Sequence, residues 1–353
     1  MTDLRLRLNA FVKLGSFFKE YCKYAKNKTQ IYDNQYAWFV KFDEILILAG
    51  HRNGWFTLEN ILFSVESWAD LLTPSELESW LSSYDLNKNK PKSVALIMAG
   101  NIPLVGFHDF LSALITGSKV LVKLSSNDKI LLPFIAQYLI EVEPSLKDQI
   151  SFSEGKLEDF DAVIATGSDN TSRYFEHYFG KKPNIIRRNR NSVAILSGNE
   201  TNDELAALGE DIFRYYGLGC RSVSKLFVPV NYNFDALFKA LYPFNTIIEQ
   251  HKYANNYDYN KAVYLMSLYK ILENGFLMLK EDKNYASPIA TVFYEYYESP
   301  EELKIRLANE KDRIQCLVAN GFIEDEVAFG QTQKPSLTDY ADNIDTVDFL
   351  LKT

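Results

Sequence analysis

The sequence predicts an α/β protein made of two open α/β domains, and three observations lead to this prediction. Short, almost continuous apolar runs of strand length recur from residue 93 onward, as expected for parallel strands buried on both faces. Segments with apolar residues at helical spacing alternate with these runs. The chain has 353 residues, a length that corresponds to about two domains.

Residues 1–85 are predicted to be mainly helical. The first 18 residues interrupt their apolar positions with Arg and Lys, which is typical of an amphipathic helix and unlike a signal peptide. A second helix is predicted at 58–72, and Thr73 with Pro74 marks the start of a third. The polar stretch 87–91 is the first clear break. No stretch reaches the roughly 18 apolar residues of a membrane-spanning helix.

A strand–helix–strand unit follows this break. Residues 93–99 (SVALIMA) predict a buried strand, residues 103–116 a helix and residues 119–124 (KVLVKL) a second strand. Such a unit is a βαβ crossover, which is expected to be right-handed. A helix at 129–142 and a strand at 161–165 are predicted to extend the same sheet.

The alternation continues beyond residue 190 and predicts a second domain. Strands are predicted at 192–196 and 224–230, and a helix is predicted between them at 203–216. We therefore expect N-terminal helices and a dinucleotide-binding domain over residues 1–190. The tail has turn residues and little periodicity from 329 to 353, so its pattern alone does not place it, and we expect 321–353 to complete this first domain. The second domain is expected over residues 191–320.

Composition argues against several functional classes. The net charge is −8 without a long basic run, so nucleic acid is not an expected partner. Three widely spaced cysteines fit a reducing compartment, which favours a cytoplasmic protein without a disulfide framework. The four histidines show no ligand spacing, so no metal site is predicted.

Cys220 is the candidate nucleophile. Two glycines precede it closely and Arg221 follows it, between a predicted helix and a predicted strand. A reactive thiolate needs exposure and a positive local field, which this surrounding could supply. The commoner role of such a cysteine is that of a small buried apolar residue, and for Cys220 both roles remain open. Cys22 and Cys316 are predicted to be buried residues of that kind.

Three strand ends carry further candidate residues. Thr166, Gly167 and Ser168 precede a probable helix whose N–H groups could bind phosphate, although the same turn also occurs simply as a strand end. Asn101 could donate to a developing oxyanion or could cap the following helix. Lys123 could contact a cofactor or remain solvated. The sequence has no GxGxxG, which counts against an ordinary Rossmann dehydrogenase.

In their order along the chain, these motifs resemble those of aldehyde dehydrogenases. FRYYGLGCRSVSKLFV at 213–228 resembles the nucleophile motif of that superfamily, and KVLVKLSS at 119–126 resembles its cofactor strand. Over residues 55–350 the chain is similar, more closely, to the bacterial long-chain acyl-CoA reductases of the luminescence type. WFTLENI at 55–61 and SLTDYAD at 336–342 add to this resemblance.

The resemblance implies an aldehyde dehydrogenase-like fold with the active site in the cleft between the domains. Cys220 would attack the acyl thioester and release CoA, while Asn101 and the Cys220 N–H would hold the oxyanion. Lys123 and Ser125 would lie near the adenosine ribose of the cofactor. The implied contacts along the dinucleotide are Thr166, Gly167 and Ser168.

The implied reaction is reduction of a fatty acyl-CoA, or an acyl-protein, to the aldehyde. NADPH is the implied cofactor, with NADH as an alternative. Aldehyde-oxidising members carry a general-base Glu in an ELGGK segment, but this chain has RRNRNSVAIL at 187–196, with Arg187 in the Glu position. Because hydrolysis of an acyl-enzyme needs a base, the absence of this Glu favours a reductase.

Two alternative functions remain open at this stage. One is a CoA-acylating aldehyde dehydrogenase for short acyl groups, and the other is a non-reducing acyl carrier for an acyl-protein synthetase. Only the enzymes would consume NADPH when given acyl-CoA. The expected partners are fatty acyl-CoA and an acyl-protein synthetase, and the resemblance also implies a homo-oligomer.

Overall fold

The protein is described here by a computed structural model that covers residues 3–27, 36–86 and 92–353. The predicted break at 87–91 lies outside the described residues. None of the described helices is long and apolar enough to cross a membrane.

The chain divides into two compact units. The first unit combines Met1–Arg188 with Ser336–Thr353, and the second unit is Asn189–Pro335. Among the described residues, the helices are α1 (Leu4–Asn27), α2 (Tyr36–Arg52), α3 (Leu58–Leu71), α4 (Pro74–Leu81), α5 (Phe107–Ile115), α6 (Leu131–Val142), α7 (Asp169–Phe179), α8 (Asn202–Phe213), α9 (Phe234–Leu241), α10 (His251–Met266), α11 (Pro300–Asn309) and α12 (Thr346–Lys352). The strands are β1 (Ser93–Ile97), β2 (Lys119–Lys123), β3 (Ile150–Phe152), β4 (Ala162–Thr166), β5 (Asn184–Arg187), β6 (Asn191–Ile195), β7 (Val223–Pro229), β8 (Ile271–Glu273), β9 (Met278–Glu281), β10 (Thr291–Tyr297) and β11 (Ile314–Val318).

The described part of the first unit contains a five-stranded parallel sheet in the order β3-β2-β1-β4-β5. Side chains alternate between the two faces of its central strand. Val94 and Leu96 belong to the large core formed with α1 to α6, whereas Ala95 belongs to a smaller core with Phe160. A strand buried on both faces needs apolar residues at every position, which explains the continuous apolar run.

The second unit, which is described throughout, contains a six-stranded sheet in the order β11-β6-β7-β10-β9-β8. Strands β8 and β9 pair antiparallel, and the other pairs are parallel. Helices cover both faces, because Leu226 packs in a core with residues of α8 and α9, whereas Phe227 packs with residues of α11.

The predicted strands are all present, with ends that differ by one or two residues. Two predicted helices are shorter than expected. The helix predicted at 103–116 begins only at Phe107, after turns that include Leu104 with a φ of 57°. The helix predicted at 203–216 ends at Phe213, because Tyr215 and Tyr216 have left-handed backbone angles that a right-handed helix does not allow.

The tail boundary also differs from the expectation. The sequence-based expectation places residues 321–335 with the rest of the tail in the first domain, but they belong to the second unit. The physical reason is a buried carboxylate on α8, because Asp211 accepts hydrogen bonds from the N–H groups of Gly330 and Thr332 at 2.6 and 2.9 Å. Only residues from Ser336 onward are part of the first unit.

Candidate active site

Cys220 lies in the second unit, in the turn that leads into β7, and its side chain is exposed. Cys22 and Cys316 are buried, as predicted. The main chain of the turn is anchored by Ser192, a fully buried residue of β6. The hydroxyl of Ser192 donates to the carbonyl oxygen of Cys220 at 2.9 Å and accepts from the N–H of Cys316 at 3.1 Å. The sheet thereby holds the backbone of Cys220 and leaves its thiol accessible.

The segment before Cys220 has an uncommon backbone conformation. Tyr215, Tyr216 and Gly217 have φ values of 56°, 58° and 73°. For a residue other than glycine, each such conformation costs on the order of 1–3 kcal/mol and persists only where the surroundings enforce it. Strain of this kind clusters at functional sites, so it supports a functional role for the loop.

A buried polar network fixes the other side of the Cys220 turn. Arg221 donates through Nε to the carbonyl oxygen of Thr332 at 2.5 Å. Thr332 in turn donates through its hydroxyl to Asp211 at 2.7 Å. Burial raises the pKa of Asp211, although the N–H groups of Gly330 and Thr332 oppose this shift. The guanidinium of Arg221 is directed at the Thr332 carbonyl and therefore fixes the loop.

The sequence patterns do not predict the roles of Ser192, Asp211 and Thr332. Asp211 is the sequence signal that could have indicated this buried network, because an acidic residue at a buried position of an amphipathic helix requires hydrogen-bond donors. Its partner Thr332 lies 121 residues further along the chain, and no local pattern connects the two.

Asn101 lies in the first unit, half-buried in the turns between β1 and α5. Its proposed alternative role as a helix cap is excluded by the geometry. Helix α5 begins at Phe107, its N-cap residue is Gly106, and no side chain caps it.

Lys123 and Ser125 follow the neighbouring strand. The ammonium of Lys123 donates to the carbonyl oxygen of Gly155 at 2.9 Å, and the hydroxyl of Ser125 accepts from the N–H of Asn127 at 3.3 Å. The loop after β1 approaches this segment closely, because a Cβ on Gly100 would lie only 2.7 Å from the Cβ of Ser125. Glycine at position 100 is therefore required for the two loops to meet.

Thr166, Gly167 and Ser168 form the turn from β4 into α7. Ser168 is the N-cap residue of this helix and accepts from the N–H of Thr171 at 3.3 Å. A side chain on Gly167 would begin 3.0 Å from the ring of Phe175, so the turn packs tightly on the helix. The hydroxyl of Ser168 thus has a structural role as a cap.

These candidate residues of the first unit share one edge of its sheet. Strand β1 pairs in parallel with β2 on one side and with β4 on the other, so the carboxyl ends of the three strands lie together. The chain order reverses between β1 and β4, and ligands of open α/β sheets bind at such a switch point. The residues at this edge are Asn101, Lys123, Ser125, Thr166, Gly167 and Ser168.

Arg187 is a buried cation at the end of β5, with 5% of its surface exposed. Its guanidinium binds both carboxylate oxygens of Asp109 on α5, one of them at 2.8 Å, and the hydroxyl of Thr346 on α12 at 3.2 Å. It therefore connects three elements of the first unit, and an arginine that stays protonated cannot act as a general base.

Within residues 3–27, 36–86 and 92–353, no group of three or more His, Cys, Asp and Glu side chains is arranged to hold a metal ion.

The chain was compared with known families and proteins. The family model described as acyl-CoA reductase (LuxC) matches residues 53–237, just over half of the chain. The long-chain acyl-protein thioester reductase of Aliivibrio fischeri is 27% identical over 241 residues. That alignment covers 61% of this chain and 48% of the relative, so the chain spans about half the length of the curated relative it matches.

Solved structures of aldehyde dehydrogenases have a similar fold. The NAD⁺ complex of an aldehyde dehydrogenase from Bacillus cereus matches with a TM-score of 0.62 and 15% identity, over 90% of this chain and 72% of that one. Aldehyde dehydrogenase 21 from Physcomitrella patens, solved with the product succinate, matches with a TM-score of 0.67 and 13% identity, over 99% and 84%. The predicted aldehyde dehydrogenase-like α/β fold is therefore confirmed.

Proposed function

Because the chain belongs to the LuxC family of acyl-CoA reductases, we propose that it reduces a fatty acyl thioester to the aldehyde with NADPH. The acyl group would arrive on CoA or on a protein. The observation that carries this proposal is the exposed thiol of Cys220, on a strained loop that Ser192 and the Asp211 network hold in place.

Cys220 is proposed as the nucleophile. Its thiolate would attack the acyl carbonyl, the carbon–sulfur bond to CoA would break, and the CoA thiolate would leave and take up a proton. The product is a new thioester on Cys220. Negative charge develops on the carbonyl oxygen during the attack, so N–H donors directed at that oxygen lower the barrier. We assign this role to the side-chain amide of Asn101 and the backbone N–H of Cys220.

The carboxyl edge of the first sheet has donors that fit a nicotinamide dinucleotide. Lys123 offers an ammonium and Ser125 a hydroxyl for the ribose, and the turn from Thr166 to Ser168 presents the N-terminus of α7 to a phosphate. When bound, NADPH would supply the hydride that converts the thioester to the aldehyde. Preference for NADPH over NADH is part of the proposal.

The surroundings of Arg187 support a reductase over an aldehyde oxidase. An oxidase must hydrolyse its acyl-enzyme, which requires a group that takes a proton from water. At the position implied for that group, the chain carries Arg187, which is already paired with Asp109. An acyl group on Cys220 should therefore remain until hydride or CoA reaches it.

The proposed function is tested by following NADPH oxidation with acyl-CoA substrates of increasing chain length and identifying the product. We expect aldehyde in an amount equal to the NADPH consumed, with long chains preferred and no turnover by Cys220→Ala. Cys22→Ala is the matched control, because burial raises the pKa of the Cys22 thiol to about 11 and keeps it protonated. Acylation of Cys220 without NADPH consumption would contradict the reductase and favour a non-reducing acyl carrier.

A further inference from the structure

Ser64 is a polar residue on the buried face of α3. It is 5% exposed, and Ile61 and Val65 on the same face belong to the large core of the first unit. Its hydroxyl donates to the carbonyl oxygen of Pro103 at 3.1 Å, and the two residues are 39 positions apart in the chain. Pro103 lies two residues after Asn101, in the turns between β1 and α5.

We propose that Ser64 is a positioning residue, which holds Asn101 where its amide can stabilise the oxyanion. Ser64 acts through the main chain at Pro103 and does not itself touch the substrate. This inference rests on the proposed function, because it concerns the oxyanion donor that is assigned there.

A second serine on α3 shows that Ser64 does not make the usual contact of a serine in a helix. Serine hydroxyls inside helices commonly bond to the carbonyl oxygen four residues earlier in their own helix. Ser67 does so, because its hydroxyl donates to the carbonyl oxygen of Phe63 at 2.8 Å. The hydroxyl of Ser64 instead connects α3 to the loop that bears Asn101.

The loop between β1 and α5 is fixed near both of its ends. At its start, the N–H of Met98 donates to the carbonyl oxygen of Lys123 at 3.0 Å. Near its end, Leu104 has a left-handed φ of 57°, and its carbonyl oxygen accepts from the N–H of Phe107 at 3.0 Å. A strained conformation of this kind persists only where the surroundings enforce it. The hydrogen bond from Ser64 holds the residue directly before Leu104 and is one such constraint.

The carbonyl oxygen of Pro103 needs this donor, because Pro103 is buried. A buried carbonyl oxygen without a partner is unfavourable, so the loop without Ser64 would move to reach another donor or water. Asn101 is only two residues away, and a shift at Pro103 therefore changes the position of its amide. A misplacement of about 1 Å at a reacting centre can lower a rate on the order of 100-fold.

The test is a double-mutant cycle of Ser64→Ala and Asn101→Ala, in which kcat for acyl-CoA reduction and the melting temperature are measured for each variant. Ser64→Ala should lower kcat of the wild type about tenfold, the factor that corresponds to one hydrogen bond. In the Asn101→Ala background it should not lower kcat further, because the donor that it positions is gone. The fall in melting temperature caused by Ser64→Ala should be the same in both backgrounds.

Ser67→Ala is the matched control, because it removes a hydroxyl that bonds within the same helix. It should leave kcat unchanged, both alone and in the Asn101→Ala background. The comparison separates a positioning role of Ser64 from a general effect of removing a hydroxyl from α3.

Three outcomes would overturn the inference: wild-type kcat in Ser64→Ala, an equal fall in both backgrounds, or an equal fall in Ser67→Ala. Acylation of Cys220 by acyl-CoA in the absence of NADPH separates these outcomes from failure of the proposed function. If Cys220 acquires the acyl group and Asn101→Ala lowers kcat, each of them rejects only the role of Ser64. If Asn101→Ala has normal kcat, the oxyanion assignment and the role of Ser64 fail together. If Cys220 is never acylated, the proposed function itself is wrong.

Discussion

Cys220 combines an accessible side chain with a tightly constrained backbone. Tyr215 and Tyr216 hold left-handed conformations that cost free energy, and Ser192 and Arg221 supply the hydrogen bonds that hold the turn. Such a constraint fixes the direction in which a nucleophile attacks, and accurate orientation lowers a reaction barrier. The loop conformation is therefore expected to be part of the chemistry proposed for this residue.

Asn101→Ala should impair chemistry and leave stability nearly unchanged. If its amide stabilises the oxyanion, the substitution should lower kcat about 10²–10³-fold. Because Gly106 and not Asn101 occupies the N-cap of α5, no loss of a helix cap is expected. The measurements are kcat for acyl-CoA reduction and the melting temperature of the variant.

The control for Asn101 is a residue that does cap a helix. Thr73 precedes α4 and accepts from the N–H of Glu76 at 3.3 Å. Thr73→Ala should cost about 1 kcal/mol of stability and leave kcat unchanged. An Asn101→Ala enzyme with normal kcat would remove Asn101 from the proposed oxyanion site.

At the scale of elements, Asp211 connects α8 to the segment 330–332 and, through Thr332, to Arg221. Asp211→Ala would leave the N–H groups of Gly330 and Thr332 without their buried acceptor, and each such loss costs about 1–3 kcal/mol. We therefore expect the free energy of unfolding to fall by roughly 3 kcal/mol, measured by urea denaturation.

The same change should slow acylation of Cys220, since the Arg221 contact becomes less ordered. Asp203→Ala is the matched control, because Asp203 is an exposed acidic residue on the same helix. If Asp211→Ala unfolded at the same midpoint urea concentration as the wild type, the network would not hold the segment 330–332 in place.

His108 on α5 forms one of the contacts between this helix and the C-terminal segment. One ring nitrogen is 3.0 Å from the carbonyl oxygen of Leu337, and the ring packs on Trp80 and Tyr340. Burial lowers the pKa of His108, with Asp109 and the Leu337 carbonyl acting in the opposite direction. Protonation of His108 is therefore less favourable in the folded protein than in the unfolded chain.

The sign of the resulting pH dependence follows from this lowered pKa. The contribution of His108 to stability is complete above the ordinary histidine pKa of about 6.5 and is lost as pH falls through its lower folded value. We expect the free energy of unfolding to decrease below pH 6.5 and His108→Gln to flatten that decrease. His177→Gln, at an exposed position of α7, is the control. An equally steep decrease in His108→Gln would exclude this contribution.

For the whole molecule, sequence patterns predict the buried strands and most helices. SVALIMA and KVLVKL are β1 and β2 within two residues of their ends, because the part of a strand that is covered on both faces is apolar, and the lysines of β2 lie at its two ends. The turn before α5 was predicted as helix, since Leu104 is a good helix former and only its backbone angle shows otherwise. Local propensity does not record a conformation that tertiary contacts impose.

The C-terminal segment could not be placed from its pattern, because its contacts are distant in sequence. Tyr340 accepts from the indole of Trp80 at 2.7 Å and lies 2.7 Å from the hydroxyl of Tyr84, which binds Asp345 at 2.6 Å. These pairs are more than 250 residues apart, and periodicity reports only on neighbours. The candidate residues follow from resemblance and from their order along the chain, whereas Ser192, Asp211 and Thr332 are recognised only in the structure.

Whether Cys220 holds the acyl group can be determined by intact-mass spectrometry. The protein is incubated with a long-chain acyl-CoA in the absence of NADPH, and its intact mass is then measured. We expect one added acyl group on the wild type and on Cys22→Ala and none on Cys220→Ala. We also expect the adduct, once free CoA has been removed, to persist until NADPH is supplied, because Arg187, at the position proposed for a general base, stays protonated. An adduct of the same mass on Cys220→Ala would show that another residue carries the acyl group.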